Sequence, residues 1–426
     1  QNDVGTAVSL TVKISTPIFQ TLSDLKEQYA FDELGLAVSG GSDSLAMLYI
    51  CKDWAVENKI KLRCVTVDHG LRTDSLKEAK FVASHCRELC IHHEIVQWNH
   101  EGNFSGNLSD LARSARYGLI DKWRKEISFV LVGHTQNDQI ETFFMNLKRG
   151  SGIEGLKGMP VSLKRPEGYF ILRPLIHSSR ESLQQFLQEK NINWVSDPSN
   201  LNEDFERISQ RKTWEILKSK GFSESRIELS VAHMRRAHDA FKQMLPIHFR
   251  QIGKQELTDL LWDYNAFIAL PEEFKLRLIS SAVMWNGNLN YRPRFKAVLD
   301  VLKNIVEKKT TVLGGAIFYH HAGKIRITTE FKSLKDNTVN CSLGSVWRNI
   351  WEVKREIKNG YIAPIGINGN NQLSKRQRSS MPYRSRIIQP GIFLKDKLLL
   401  APTLDVENSG YLSFCGIKFN DFLESH

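Results

Sequence analysis

Short apolar runs alternate with longer amphipathic stretches through the first half of the chain. The runs at 34–38, 62–67, 93–98 and 128–133 have the length of buried strands, and the segments at 44–58, 74–90, 108–127 and 137–148 carry apolar residues at helical spacing. This alternation predicts a parallel sheet with helices on both faces. A further helix precedes the first strand, capped by Thr16 with Pro17 at its first helical position. Across 196–204 turn-forming residues crowd together and the periodicity lapses. Beyond them the spacing is helical at 206–219, 223–246, 271–285 and 293–306, and near 308 it gives way to strand-like pieces at Thr310–Leu313 and Lys324–Thr328. The expected fold is α/β: a Rossmann-like parallel-sheet domain over 1–205, a helical domain over 206–307 and a small mixed α/β domain over 308–426.

A length of 426 residues fits two or three domains, and no apolar run approaches a membrane span. Six cysteines scattered through so long a chain favour reduced thiols and a cytoplasmic setting. Charge changes the picture more, because a net +11 suits a partner made of phosphates. Between Glu356 and Asp396 no acidic residue occurs, while Arg376, Arg378, Arg384 and Arg386 surround Tyr383. Cations beside an aromatic ring suit an RNA backbone or an unstacked base, although a solvated basic loop has the same composition.

Chemistry enters at Ser39-Gly40-Gly41-Ser42-Asp43-Ser44, between the first expected strand and the helix after it. Two glycines let the backbone bend tightly and approach a ligand, and the helix start points N–H groups and its positive dipole end at the same spot. Such a turn is built to hold phosphate. The chain has no G-x-x-x-x-G-K-[ST], so this is not a Walker loop. The segment resembles the PP-loop of the N-type ATP pyrophosphatases, S-G-G-x-D-S, at every fixed position. That resemblance implies a loop holding the β,γ-pyrophosphate of ATP, a Mg²⁺-directed role for Asp43, and transfer of AMP to a carbonyl oxygen.

Val67-Asp68-His69-Gly70-Leu71-Arg72 and Gly133-His134 fall at the carboxyl ends of expected strands, where open α/β sheets bind ligands. Arg113 and Arg116 lie one turn apart on a helix and can present two guanidinium groups to phosphate. Asp138 and Glu141, at the next helix start, can bind Mg²⁺ or an ammonium group, or simply complement the helix dipole. Taken together, V-D-H-G-L-R, A-R-x-x-R-Y and G-H-x-x-x-D-x-x-E-T resemble the tRNA(Ile)-lysidine synthetases. The resemblance implies ATP contacts at Ser39, Gly40, Gly41, Ser42, Asp43, Ser44, Asp68, His69 and His134. It also implies catalytic roles for Asp43, Arg113, Asp138 and Glu141, with the acidic pair on lysine, and substrate or tRNA contacts at Arg72 and Arg116. Arg149, Arg173, Arg207 and Arg211 match further family positions, although Ile208 stands where the family has asparagine.

The activity so implied is ATP-dependent ligation of L-lysine to C2 of the wobble cytidine of tRNA(Ile) with a CAU anticodon, through an adenylated cytidine, releasing AMP and diphosphate. ATP and Mg²⁺ are its cofactors, the C-terminal arginines meet tRNA phosphates, and a homodimer is a candidate assembly. Two alternatives stay open: a PP-loop tRNA thiolation enzyme and a non-catalytic tRNA-binding protein. No Cys-x-x-Cys occurs, which argues against the first; the intact loop and acidic helix argue against the second. His85, Cys86, Cys90, His92 and His93 crowd in sequence, but without a second cysteine pair they make a poor zinc pattern.

Overall fold

A computed structural model describes residues 4–70, 75–99, 108–195, 205–289 and 291–425, with the backbone alone at 4–11, 109–110 and 205–211. The chain divides into two compact units, Gln1–His238 and Asp239–His426.

The first unit runs α1 (Val4–Tyr29), β1 (Glu33–Ala37), α2 (Ser42–Asn58), β2 (Lys61–Asp68), α3 (Ser75–Glu88), β3 (His92–Gln97), α4 (Leu108–Arg124), β4 (Phe129–Val132) and α5 (Gln136–Lys148). It continues with α6 (Ile153–Leu156), β5 (Ser162–Lys164), β6 (Phe170–Leu172), α7 (Arg180–Glu189) and α8 (Phe205–Ser219). The strands form one sheet in the order β3-β2-β1-β4-β6-β5, parallel except for β5. Winding reverses between β1 and β4, so their carboxyl ends open a crevice, the usual ligand position in such sheets. Leu34, Leu36, Val130 and Leu131 are fully buried, which is why β1 and β4 read as unbroken apolar runs. Helix α2 buries Leu45, Ala46, Met47, Leu48, Ile50, Cys51, Trp54 and Ala55, nearly its whole circumference, and is thereby fixed in the core.

Helix α1 corrects an expectation. Pro17 lies inside the helix rather than at its start, and Thr16 donates its hydroxyl to the Val12 carbonyl at 2.6 Å instead of capping. Proline removes one backbone donor, but the buried stripe Ile18, Leu22 and Leu25 holds the helix through it. Beyond the sheet, Trp214 of α8 and the residues Ile227 and Val231 pack on Ile140, Phe143 and Phe144 of α5.

A long helix, α9 (Glu224–Ile252), leads into strands the residue spacing does not announce, β7 (Gly253–Glu256) and β8 (Asp259–Asp263). After α10 (Tyr264–Ala269), α11 (Glu272–Gly287) and α12 (Phe295–Val306) come β9 (Thr311–Leu313), β10 (Ala316–His321) and β11 (Lys324–Thr329). These strands make an antiparallel sheet, β7-β8-β11-β10-β9, joining segments on either side of residue 307. Leu278, Ile279, Val283, Val298 and Val301 of the helices share a core with Phe318, Ile325 and Ile327 of the sheet. Two smaller antiparallel sheets follow, of four and three strands. No described helix is long and apolar enough to cross a membrane.

Candidate active site

A cavity of about 730 Å³ opens where β1 and β4 end, lined by Ser39, Gly41, Ser42, Asp43 and Ser44, and facing them His69, Arg116, His134, Asp138 and Arg180. Ser44 shapes the loop: its Oγ accepts the Ser39 N–H at 3.1 Å and donates to the Gly41 carbonyl at 3.0 Å. Gly40 adopts φ +91°, a left-handed conformation open to glycine, and its carbonyl receives the Val195 N–H at 3.0 Å. A Cβ on Gly133 would fall 3.0 Å from Ser44 Cα and 3.1 Å from its nitrogen, so only glycine lets the end of β4 lie against the loop. Gly41 caps α2 without a side chain, which leaves the first helical N–H groups to a ligand or water.

Across the loop stands Arg180, the first residue of α7. Its Nε donates to Asp43 Oδ2 at 2.9 Å, and its backbone N–H donates to Asn137 Oδ1 at 2.9 Å. Burial pushes the Asp43 carboxyl above its ordinary range; Arg180 opposes the rise and Asp138 adds to it. Burial works against the charge on Arg180 as well, yet Asp43, Asp138 and Glu141 together raise its pKa. Neither Arg180 nor Gln184, whose amide reaches Ser42 Oγ at 3.5 Å, is singled out by sequence reasoning. The Ser179 cap, accepting from the Ser182 N–H at 3.2 Å, could have marked the helix. Nothing in the sequence marks the partner, 137 residues away.

The acidic helix α5 is partly as expected. Asp138 lines the cavity, and its Oδ2 accepts from the Thr135 N–H at 2.8 Å and hydroxyl at 2.9 Å, so the same carboxylate also caps the helix. Glu141 is buried and is not among the lining residues. His134 accepts the Arg173 Nε–H on Nδ1 at 3.0 Å, which makes the ring neutral with its proton on Nε2. Burial, chiefly, pulls its pKa down to about 4; Asp138 opposes this and Arg173, Arg113 and Arg116 add to it.

Arg173 differs from the expected substrate-facing cation: it is buried, donates to the Pro160 carbonyl at 2.9 Å and orients His134. Arg116 reaches His69 Nε2 at 3.4 Å within the cavity, whereas the Arg113 guanidinium lies 5.3 Å from the Tyr117 ring centre. Asp68 accepts the Gly70 N–H at 2.9 Å and shapes its turn, outside the lining. Arg149 is exposed at the end of α5. Arg72 and the side chains of Arg207 and Arg211 lie outside the described residues.

Of the C-terminal arginines, Arg376 and Arg384 are exposed. Arg378 donates to the Leu373 and Asn371 carbonyls at 3.1 and 2.7 Å. Arg386 differs from the expected surface cation, because it is buried on Asn370 Oδ1 at 2.7 Å and the Met381 carbonyl at 2.9 Å. The cysteine and histidine cluster disperses in space. His85 bonds the Tyr49 hydroxyl at 2.7 Å and Cys90 and His92 are exposed, while Cys86 and His93 meet Cys64 with donor atoms within 4.8 Å.

A phosphate-binding turn at the switch point of a parallel sheet, braced by Gly133, defines a class, the PP-loop ATP-using α/β proteins, and residues 14–216 match the family described as PP-loop domain. The tRNA(Ile)-lysidine synthase of Ruegeria pomeroyi is 32% identical over 88% of this chain and 89% of that one. That of Wolbachia pipientis wMel is 32% identical over 75% and 76%. The solved U34-tRNA thiolase NcsA from Methanococcus maripaludis with its 4Fe-4S cluster is 17% identical, covering 55% of this chain and 79% of that one at a TM-score of 0.45, a likeness that carries no argument about chemistry. The chain belongs to the tRNA(Ile)-lysidine synthase family.

Proposed function

We propose that the protein uses ATP to adenylate the C2 carbonyl oxygen of the wobble cytidine in CAU-anticodon tRNA(Ile), and that the ε-amine of L-lysine then displaces AMP to form lysidine. One observation carries this reading: an uncapped helix start, a half-buried arginine and two carboxylates line a single cavity at the sheet's switch point. Adenylation needs a place where negative charge on the departing diphosphate is met by dipoles and cations fixed in advance. The N–H groups of α2 and the guanidinium of Arg180 supply it. Ala37, Val65, Val67, Ile120 and Val132 give the same cavity an apolar floor for adenine.

Asp43 and Asp138 face that cavity with oxygen donors and feel each other's charge, a set that fits a hard divalent cation shared with phosphates. Mg²⁺ bound at Asp43 would neutralise phosphate charge. Asp138 keeps Oδ1 for the ammonium of lysine, with Glu141 buried behind it on the same helix. Neutral His134, its Nε2–H directed by Arg173, is a donor to the nucleotide, and Arg113 and Arg116 hold the incoming strand. In the second unit Arg376 and Arg384 meet tRNA phosphates, and the setting is cytoplasmic.

The test is incubation with ATP, CAU-anticodon tRNA and labelled lysine. One label enters the nucleoside for each AMP formed. Label that never enters, or AMP formed equally without tRNA, refutes the proposal, and sulfur incorporated from a donor would convert it to thiolation.

A further inference from the structure

A second cavity, of about 1070 Å³, lies wholly within the second unit and has one cation among its described lining residues, Arg348. This arginine sits at the tip of a hairpin between the strands Val346–Trp347 and Trp351–Val353. Both tip residues are left-handed, Arg348 at φ +58° and Asn349 at φ +56°, and the Ile350 N–H closes the turn on the Trp347 carbonyl at 3.0 Å. Such turns favour glycine and asparagine, so Asn349 suits its position and Arg348 does not. The strained residue carries the long cationic side chain.

Its guanidinium is poorly matched by the protein. Nη2 donates to Thr329 Oγ1 at 2.9 Å, and Nη1 is buried with no hydrogen-bond partner among the described residues. Burial draws its pKa down to about 10, and Asp259 offsets this only in part. Two buried arginines of the same unit are paired with carboxylates: Arg326 donates to Asp259 at 2.6 Å and to Glu256, and Arg277 donates to Glu273 at 2.7 Å, while Arg386 is satisfied by the Asn370 amide and the Met381 carbonyl. A half-buried cation without a charged acceptor is costly, and an anion entering the cavity reduces that cost.

The cavity is far larger than an inorganic anion needs. Its wall includes the amides Asn288 and Asn337 beside the aromatic rings of Trp285 and Phe414. Amides suit the edge of a base and ribose hydroxyls, rings suit its face, and a guanidinium fork suits phosphate. Asp336, the carboxylate among the described lining residues, is exposed. We propose that this cavity binds a nucleotide with its phosphate on Arg348, a site separate from the one at the PP-loop and independent of the activity assigned there.

Hydrogen exchange of the full chain, followed at residues 346–353, tests it with cytidine monophosphate, a 5′-phosphorylated RNA trinucleotide, cytidine and inorganic phosphate as probes. The expected result is protection by at least one of the first two and none by cytidine. Tighter binding of the trinucleotide assigns the site to an RNA strand; equal or tighter binding of the monophosphate assigns it to a free nucleotide. Arg348→Met weakens the effective probe at least about thirtyfold and Arg348→Lys restores part of the loss. Arg348→Met also melts no lower than the parent, since it removes an uncompensated charge. Protection by cytidine or by inorganic phosphate as strong as by the nucleotide, indifference to Arg348→Met, no protection by any probe, or a large fall in melting temperature overturns the proposal.

Discussion

Arg180 and Arg348 each line a large cavity, one in each unit, and their surroundings are opposite. Arg180 is held by Asp43 at 2.9 Å and sits in the field of Asp138 and Glu141, which raises its pKa despite burial. Arg348 has a hydroxyl and an orphaned nitrogen, and burial prevails. A cation matched by carboxylates is poised to exchange partners with a phosphate and its metal during a reaction. One left unmatched is stabilised only when its ligand arrives. The first arrangement suits turnover and the second suits binding.

The largest expected effect comes from making Arg180 resemble Arg348. Asp43→Asn leaves the guanidinium without its carboxylate and should lower AMP formation with cognate tRNA by about a hundred- to a thousandfold. AMP release within tenfold of the parent would remove Asp43 from the reaction. A third class of arginine sharpens the contrast. Replacing exposed Arg376 and Arg384 together by alanine should reduce the salt slope of tRNA binding by about two, with little change in melting. Arg386→Ala should instead cost about 1–3 kcal/mol of stability by stranding the Asn370 and Met381 acceptors. If the first pair leaves the slope unchanged, those residues form a solvated loop; a stable Arg386→Ala protein would contradict the packing described.

The smallest effect is one of pH. His134 ordinarily titrates at 6.5, and burial lowers it to about 4. Between these values the unfolded chain takes up a proton that the fold refuses, so this contribution to stability is full above 6.5 and lost as pH falls toward 4. His134→Asn, whose amide oxygen can still accept from Arg173, should flatten that part of the profile in urea unfolding. Curves that stay parallel to the parent's would show the ring protonating freely in the folded protein.

The parallel sheet and its loop were legible because each depends on local rules. An apolar strand, a glycine bend and a helix start are contiguous at 34–50, and the same holds at Gly133-His134. Side-chain direction was less legible. Arg173 and Arg116 look alike in sequence, yet one is buried on His134 and the other lines the cavity. Strand β8 escaped notice because Asp259-Leu260-Leu261-Trp262-Asp263 becomes a strand by pairing with β11, more than sixty residues on.

The order of residues alone determined the alternation that makes the sheet and the phosphate-holding bend at 39–44, since both follow from torsional freedom and periodicity within one or two turns of chain. Only the tertiary structure decided that Arg180 bonds Asp43 and that Arg348 Nη1 has no hydrogen-bond partner among the described residues. Partnership between distant charges depends on which surfaces packing brings together, and no local spacing encodes that.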